Sequence, residues 1–412
     1  MAPAGSYESL MAAIQAGADA VYFGINKLNM RARSSANFTE KDLEKIVAIC
    51  KEHRVKTYLT LNIIFYDNEI EDVRRLIDFA KEKKVDALIL SDQGIIQYAR
   101  SVGMEVHIST QVNISNIEAL KFYSEFADVI VLARELNLDQ VKEMSSAIEK
   151  ENIVGPGGRK IKIEMFIHGA LCMSISGKCY LSLHEYNYSA NRGACLQTCR
   201  KGYTVKEKES GRELDIENEY IMSPKDLCTI HFLNKILDAG VTVLKIEGRA
   251  RPPEYVYTVT KCYSEAVDNY INGSYTKEKI EDWISHLETV FNRGFWDGYY
   301  LGQKLGEWSH VYGSKATKRK IYVGKGMNYF SNIEVAEFLC EATHIQIGDE
   351  ILVTGPTTGI IQTTVEEIRV DLKTVDQANK GERFSIPLKQ MIRRSDKLYK
   401  IVDALLVKTQ AD

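Results

Sequence analysis

Proline is scarce in this chain, with seven in 412 residues. No stretch is dominated by Pro, Gly or Ser, and no low-complexity tract breaks the sequence. That excludes a long disordered tail; only a few terminal residues read as unstructured. Long apolar runs are missing too. None reaches the roughly 20 residues a membrane-spanning helix needs, and no signal-peptide pattern opens the chain, so it reads as cytoplasmic, with no membrane partner. Neither sign of charge dominates: 53 Lys and Arg stand against 56 Asp and Glu, a formal net charge of −3. This argues against a protein that coats nucleic acid by bulk electrostatics and leaves room for a local basic groove. Three motifs are also absent. Without a Gly-x-Gly-x-x-Gly turn after the first strand, a doubly wound dinucleotide fold is the weaker alternative. Without a His-Glu-x-x-His helix or a Gly-x-Ser-x-Gly elbow, the usual marks of zinc proteases and serine hydrolases are gone.

What is present is a regular alternation. Short apolar strands are expected at Asp19–Gly24, Lys56–Asn62, Asp86–Ser91, Glu105–Ile108, Asp128–Ala133, Ile161–Ile167 and Val241–Ile246. Between them lie amphipathic helices at Thr39–His53, Ile70–Lys83, Ile95–Val102, Ile117–Phe126 and Asp139–Glu149. In the first of these, Leu43, Ile46, Val47 and Cys50 share one face at helical spacing. Pro252 and Pro253 open a further helix, since a proline is tolerated in a first turn. Met1 to Gly5 supplies an eighth, short strand. Eight β/α units point to an α/β fold, a (β/α)8 TIM-like barrel over residues 1–290 with a Cys-rich insertion at about 169–222. Residues 291–319 read as a connection. From 320 to 405, short strands separated by turn residues at even spacing suggest a small C-terminal antiparallel β-barrel. Basic residues gather at its two ends, Lys315, Lys318, Arg319 and Lys320 at the entrance and Lys389, Arg393, Arg394, Lys397 and Lys400 near its close.

In a parallel barrel, chemistry sits at the C-terminal ends of the strands. Those ends are polar here. Asn62, Asp92, Ser109, Gln111, Arg134, His168, Glu247 and Arg249 lie at or just past them, and Arg31 and Arg33 follow the strand ending at Gly24. One such residue is ordinary surface; the coincidence across several strands suggests a pocket. The arginines suggest an anionic ligand, because guanidinium pairs bidentately with carboxylate or phosphate. Asn62, Gln111, Glu164, His168 and Glu247 are the candidates for catalysis. Arg31, Arg33, Asp92, Ser109, Arg134, Lys245 and Arg249 are the candidates for substrate binding.

Eight cysteines are present, and five crowd one stretch: Cys172, Cys179, Cys195, Cys199 and Cys228. In a reducing compartment, clustered thiols more often bind metal than form structural disulfides. Four thiolates are the complement of a [4Fe–4S] cluster. A four-cysteine zinc site is the alternative metal, although only one short Cys-x3-Cys knuckle is present, and a metal-free segment stays open. A helical turn would place Cys195 and Cys199 on one face, and Arg192, Arg200 and Lys201 would favour thiolates. Ser223 and Pro224 read as the start of a helix to Ala239, with Cys228 near its first turn as an alternative fourth ligand. Cys50 and Cys262 read as small core residues.

Glu164-Met-Phe-Ile-His-Gly-Ala-Leu-Cys172, followed by Ser176-Gly-Lys-Cys179-Tyr-Leu-Ser, resembles the defining motif of peptidase family U32. Met1–Gly5, Gly17–Gly24, Ser109–Asn113, Arg134–Leu136, Ser223–Leu227 and Lys245–Arg249 are similar to that family as well. The resemblance extends over the whole chain to the members that make 5-hydroxyuridine at the tRNA wobble position in a prephenate-dependent reaction. It implies a [4Fe–4S] cluster on Cys172, Cys179, Cys195 and Cys199, supplied by the iron–sulfur assembly machinery, with prephenate as co-substrate and tRNA as partner. Prephenate is a dicarboxylate, in keeping with the arginines. The family also contains rRNA hydroxylation proteins, and its name carries the other reading, a collagenase-like peptidase, for which Cys172 and His168 would be the thiol and base.

Overall fold

The structure is a computed structural model and describes residues 1–33, 37–201, 208–211, 223–303, 306–310 and 313–405. Most of the last third of the expected insertion, 202–207 and 212–222, lies outside the described residues. The first part runs β1 (Ala2–Pro3), α1 (Tyr7–Gln15), β2 (Ala20–Gly24), α2 (Glu40–Glu52), β3 (Lys56–Leu61), α3 (Ile70–Glu82), β4 (Ala87–Leu90), α4 (Gln93–Ser101) and β5 (Val106–Ile108). It continues α5 (Ile117–Ser124), β6 (Val129–Val131), α6 (Leu138–Glu151), β7 (Lys162–Ala170), α7 (Leu181–Tyr186), β8 (Asp226–Cys228), α8 (Leu233–Asp238), β9 (Val243–Ile246), α9 (Pro253–Ile271), α10 (Lys277–Thr289) and β10 (Phe295–Trp296).

Strands β1 to β7 pair in chain order, each parallel to the next. β9 pairs parallel with β7. Near β1 the amino group of Met1 donates to Leu244 O at 2.8 Å and Ile246 N–H donates to Met1 O at 3.2 Å, so β9 lies beside the first residues of the chain. The helices cover the sheet for the reason their sequences give. In α3 the buried residues Val73, Leu76, Ile77 and Ala80 recur at helical spacing, and each large aliphatic side chain so buried contributes about 1.5–3 kcal/mol. The strands between them are buried along their length, as continuous apolar runs in a parallel sheet should be.

One expectation fails. No helix runs from Ser223 to Ala239. Residues 226–228 form β8, which pairs antiparallel with His168–Ala170 of β7 and parallel with β10. Asp226 N–H also donates to Gly294 O at 2.9 Å. Backbone groups that a helix would satisfy internally find sheet partners on both sides instead. Pro224 forms an isolated bridge with Trp308, and the residue before a proline favours extended backbone, so Ser223-Pro224 introduces a strand here and not a helix cap. The helix begins only at Leu233, as the short α8.

The second part is antiparallel throughout. It comprises β11 (Lys318–Phe330), β12 (Val335–Cys340), β13 (Ile345–Gln346), β14 (Glu350–Gly355), β15 (Gly359–Thr364), β16 (Ile368–Val370), β17 (Lys373–Val375), β18 (Gln377–Ala378), β19 (Arg383–Pro387) and β20 (Lys397–Asp403). Eight of these form one sheet ordered β15-β14-β20-β11-β12-β19-β16-β17, and β13 pairs with β18. β15 turns back on β14 before β16 starts.

The two parts meet at α1. Gln15 acts on β15 like a neighbouring strand: its Nε2 donates to Thr358 O and its Oε1 accepts from Ile360 N–H, both at 2.9 Å. Ala12 packs with Leu352 and Ile360 in a small core of its own, and Lys320 reaches Glu254 of α9 at 2.8 Å.

Candidate active site

The C-terminal ends of the parallel strands open into a cavity of about 480 Å³. Tyr22 of β2, Thr60 of β3, Phe166 of β7 and Lys245 of β9 line it from the strands. Met30, Arg31, Asn62, Ser109, Gln111, Arg134, Glu247, Arg249 and Arg251 line it from the loops that follow them. The segment after β7 forms the facing wall, with Cys172, Cys179, Cys195 and Cys199 all on it.

Arg249 is, with Lys245, among the most enclosed cations at this end of the sheet. It is 5% exposed, and its Nη1 donates to Asn29 Oδ1 at 2.9 Å and to Thr60 Oγ1 at 2.8 Å. Burial lowers its pKa to about 10, so it stays charged at neutral pH. Two glycines make room for it. A Cβ on Gly24 would stand 2.6 Å from Arg249 Nη1, and one on Gly5 would stand 1.9 Å from its carbonyl oxygen. Arg31 pairs with Glu247, Nη2 to Oε1 at 2.6 Å. Burial pushes the Glu247 carboxyl upward, but Arg31, Arg251 and Arg134 outweigh it and hold the pKa at about 2. Lys245 Nζ donates to Glu164 Oε1 at 2.6 Å behind the cavity wall. Arg134 stacks 3.9 Å from the Phe166 ring centroid and donates through Nη1 to Ala170 O at 3.0 Å. Its buried Nε has no acceptor among the described residues. Asn62 ties the neutral side together: its Oδ1 accepts from Met30 N–H at 3.2 Å, and its Nδ2 donates to Ser109 Oγ at 3.2 Å and Gln111 Oε1 at 3.3 Å.

The charge balance is one-sided. Eight cationic side chains line the cavity (Arg31, Arg134, Lys178, Arg200, Lys245, Arg249, Arg251 and Arg293) against one carboxylate, Glu247. Among the described residues three of the eight are matched, Arg31 by Glu247, Lys245 by Glu164 and Arg293 by Asp226 at 3.2 Å. An enclosed site with unmatched guanidinium groups is built for a polyanion.

Four candidates lie elsewhere. Asp92 caps α4, accepting from Gly94 N–H at 3.0 Å and Ile95 N–H at 3.2 Å. Arg33 stacks on Tyr188, 3.8 Å from its ring centroid, outside the cavity lining. His168 is 1% exposed among Tyr255, Tyr263 and Phe295, and Glu164 is fully buried beneath the wall. Burial first, and the charge of Arg251 second, lower the pKa of His168 to about 3. Among the described residues no cysteine thiol is hydrogen-bonded to a histidine ring. Arg251 and Arg293 are not singled out by sequence, and Arg200 is marked there only as a charge beside the thiols, not as part of the cavity lining. Arg251 precedes Pro252 and reads as the edge of a helix, and Arg293 falls in the expected connection; only their positive charge beside other site residues could have marked them.

The cysteine wall also differs from expectation. Residues 195–199 are not one helical turn: Gln197 is left-handed and a short 3₁₀ turn covers Thr198–Arg200. Arg200 donates to Leu171 O at 2.8 Å and Ser223 Oγ at 2.9 Å, stapling the wall to the end of β7. Arg192 is drawn off to Glu69 and Lys201 to Glu185. Burial therefore wins at Cys199 and pushes its thiol up to about 11, against the pull of Arg200. Cys228 is buried away from the cavity, under Tyr263, and burial pushes its thiol up to about 11 as well, the reverse of a helix-dipole effect. Among the described residues, no three His, Cys, Asp or Glu side chains converge as a single metal ion would require. No helix among them is long and apolar enough to cross a membrane.

The chain belongs to peptidase family U32: the family model matches residues 5–310, which take in the parallel sheet from β2 onward and the cysteine wall. It is 64% identical over 400 residues, 97% of each chain, to a collagenase of Porphyromonas gingivalis. It is 31% identical over 376 residues to tRNA hydroxylation protein P1 of Bacillus subtilis, covering 89% of this chain and 86% of that one. It is 30% identical over 312 residues to tRNA hydroxylation protein P of Helicobacter pylori, covering 73% of this chain and 71% of that one.

Proposed function

We propose that the protein is a cytoplasmic iron–sulfur protein that hydroxylates the wobble uridine of tRNA to 5-hydroxyuridine in a prephenate-dependent reaction. One observation carries this reading: four cysteines and a surplus of arginines face each other across a single cavity. A dicarboxylate needs two cationic contacts, and Arg134, Arg249 and Arg251 offer more than that, with no carboxylate partner of their own among the described residues. Asn62 and Gln111 lie beside them as neutral hydrogen-bonding groups that orient a hydroxyl or a carbonyl. The names of the two tRNA hydroxylation relatives support the RNA substrate.

The donor set fits a [4Fe–4S] cluster. Cys172, Cys179, Cys195 and Cys199 share one wall, and the charges of the other three reach Cys199. Spread over a wall, four thiolates can each serve a separate iron, whereas zinc needs all four within about 2.3 Å of one point. The bound cluster would supply redox or Lewis-acid chemistry at that wall. Binding a cluster there would displace the proton of Cys199 and order the segment. This assembly would draw on the iron–sulfur machinery of the cell. The same reading has the parallel sheet close as a (β/α)8 barrel, supported by the bonds between Met1 and β9.

A second reading, a collagenase-like peptidase, has the name of the relative at 64% identity in its favour. Its thiol and base would be Cys172 and His168, of which only the first lines the cavity. Nucleoside mass spectrometry of tRNA from a strain lacking the gene decides between them. Loss of 5-hydroxyuridine that the wild-type gene restores supports the hydroxylase; an unchanged nucleoside profile overturns it.

A further inference from the structure

Large apolar side chains stand exposed around the mouth of the cavity. Met173, Ile175, Tyr180, Leu181, Tyr186 and Leu196 all come from the cysteine wall. Tyr66, 57% exposed, adjoins them, because Ile64 N–H donates to Asn191 O at 3.2 Å and Arg192 donates to Ile64 O at 2.6 Å. Tyr180 is the most exposed of the group, at 75%, and it lines the cavity edge itself. Met173, Tyr180 and Leu181 also line the cavity, and exposed apolar side chains gathered on one segment beside a cavity mark a binding face.

We infer that this rim is a stacking platform for unpaired nucleotides of an RNA loop, with Tyr180 as the face on which a base lies. The inference rests on the RNA-hydroxylation reading and adds the way the substrate is held. Three pieces of chemistry select the partner. Aromatic faces accept bases of any identity, and Tyr180 offers one unobstructed. Cations sit on the neighbouring tyrosines: Arg192 lies 4.2 Å from the Tyr66 ring centroid, Lys201 4.6 Å from Tyr186 and Arg33 3.8 Å from Tyr188. Arginine and lysine interleaved with aromatic rings is the make-up of surfaces that track single strands. Behind the rim lies the cationic cavity, which a phosphate backbone would approach and an ordinary peptide would not. A base held in a duplex cannot reach an enclosed cavity, so the preferred form is a loop whose bases are free to leave the stack.

The test uses the full-length protein, purified anaerobically, and two RNA probes at fixed salt: an unmodified anticodon stem-loop, and the same sequence annealed to its complement. Tyr180→Ala should weaken stem-loop binding by about ten-fold. Tyr180→Phe should bind as wild type, and the visible absorbance of both variants should be unchanged, which shows the wall intact. Tyr66→Ala, at the other side of the mouth, should weaken stem-loop binding in the same direction. Wild-type affinity in both alanine variants, or an equal loss on the duplex, overturns the platform. So does a wild-type protein that binds neither RNA but holds a denatured collagen peptide through Tyr180. If Tyr180 dependence is found while deletion of the gene leaves tRNA nucleosides unchanged, the platform stands and the hydroxylase reading falls. If hydroxylation is confirmed while Tyr180→Ala binds normally, the reverse holds.

Discussion

Lys245 and Glu164 form an ion pair at 2.6 Å with both side chains all but sealed from solvent, and the second carboxylate oxygen, Glu164 Oε2, has no hydrogen-bond partner among the described residues. Strands β9 and β7 are joined through it at the floor of the cavity. Burial lowers the pKa of Lys245, and Glu164 opposes that fall. Removing one member strands the other charge in the interior. Lys245→Met alone should therefore cost about 3–5 kcal/mol in urea unfolding, and adding Glu164→Leu should restore much of it. A double variant as unstable as the single one would show that the pair is not the cause.

His168 makes a pH-dependent contribution whose sign is fixed. An unfolded histidine takes up a proton near pH 6.5, while the folded ring does so only at about 3. Between those values the unfolded state binds more protons, so stability is full above about pH 6.5 and is lost as the pH falls toward 3. The slope is up to about 1.4 kcal/mol per pH unit. Unfolding curves of wild type and His168→Phe between pH 7 and 5 should diverge by that slope; parallel curves refute it.

The four wall cysteines should act as a set. Replacement of Cys172, Cys179, Cys195 or Cys199 by Ala should abolish the visible charge-transfer absorbance of anaerobically purified protein. Cys228→Ala should leave it intact, because its sulfur lies under Tyr263 and outside the cavity. Absorbance lost in Cys228→Ala and kept in Cys199→Ala would exchange their roles.

Arg134→Ala and Arg251→Ala should each weaken prephenate binding by about ten-fold or more, since a charge-assisted hydrogen bond is worth about 1.5–3 kcal/mol. Arg33→Ala and Asp92→Asn should leave it unchanged, one stacked on Tyr188 and the other capping α4. Titration calorimetry separates the two groups; four equal affinities would remove the cavity from the binding reaction.

Basic side chains of the second part should contribute to RNA affinity unevenly. Lys318 and Lys320 are matched by Glu350 and Glu254, and Lys400 is buried beside His344. Lys389, Arg393, Arg394 and Lys397 stay exposed. Neutralising those four should flatten the dependence of tRNA affinity on salt by about 0.7–0.9 in log–log slope for each phosphate they would have neutralised. An unchanged slope would leave this face without a role.

Much of this arrangement is legible in the sequence, and the failures have physical causes. Runs such as Leu88–Leu90 are buried on both faces, so composition alone identifies them as central parallel strands. Strand-end polarity predicts Arg31, Asn62, Ser109, Gln111, Arg134, Glu247 and Arg249 at one cavity, and they meet there. Asp92 carries the same signal for a different reason, since an aspartate after a strand is equally the cap of the next helix. β8 is hard to read because the pre-proline preference reaches only Ser223; the form of 226–228 is set by partners at 168–170 and 295–296. Charge along the chain does not reveal that Arg192 and Lys201 are spoken for by Glu69 and Glu185, 123 and 16 residues away.

Gln15 and Ile360 are 345 positions apart, yet a single amide side chain joins them. On the ribosome, α1 emerges among the first elements and the strand that covers its outer face among the last. At about 5–20 residues per second the wait is tens of seconds, long compared with the folding of a small domain. The nascent chain must therefore hold Ala12 and its neighbours uncovered while the parallel sheet assembles. A truncated product released before β15 would expose that seam permanently, and the amide of Gln15, which edges a strand when paired, would be left open to any other strand that passes.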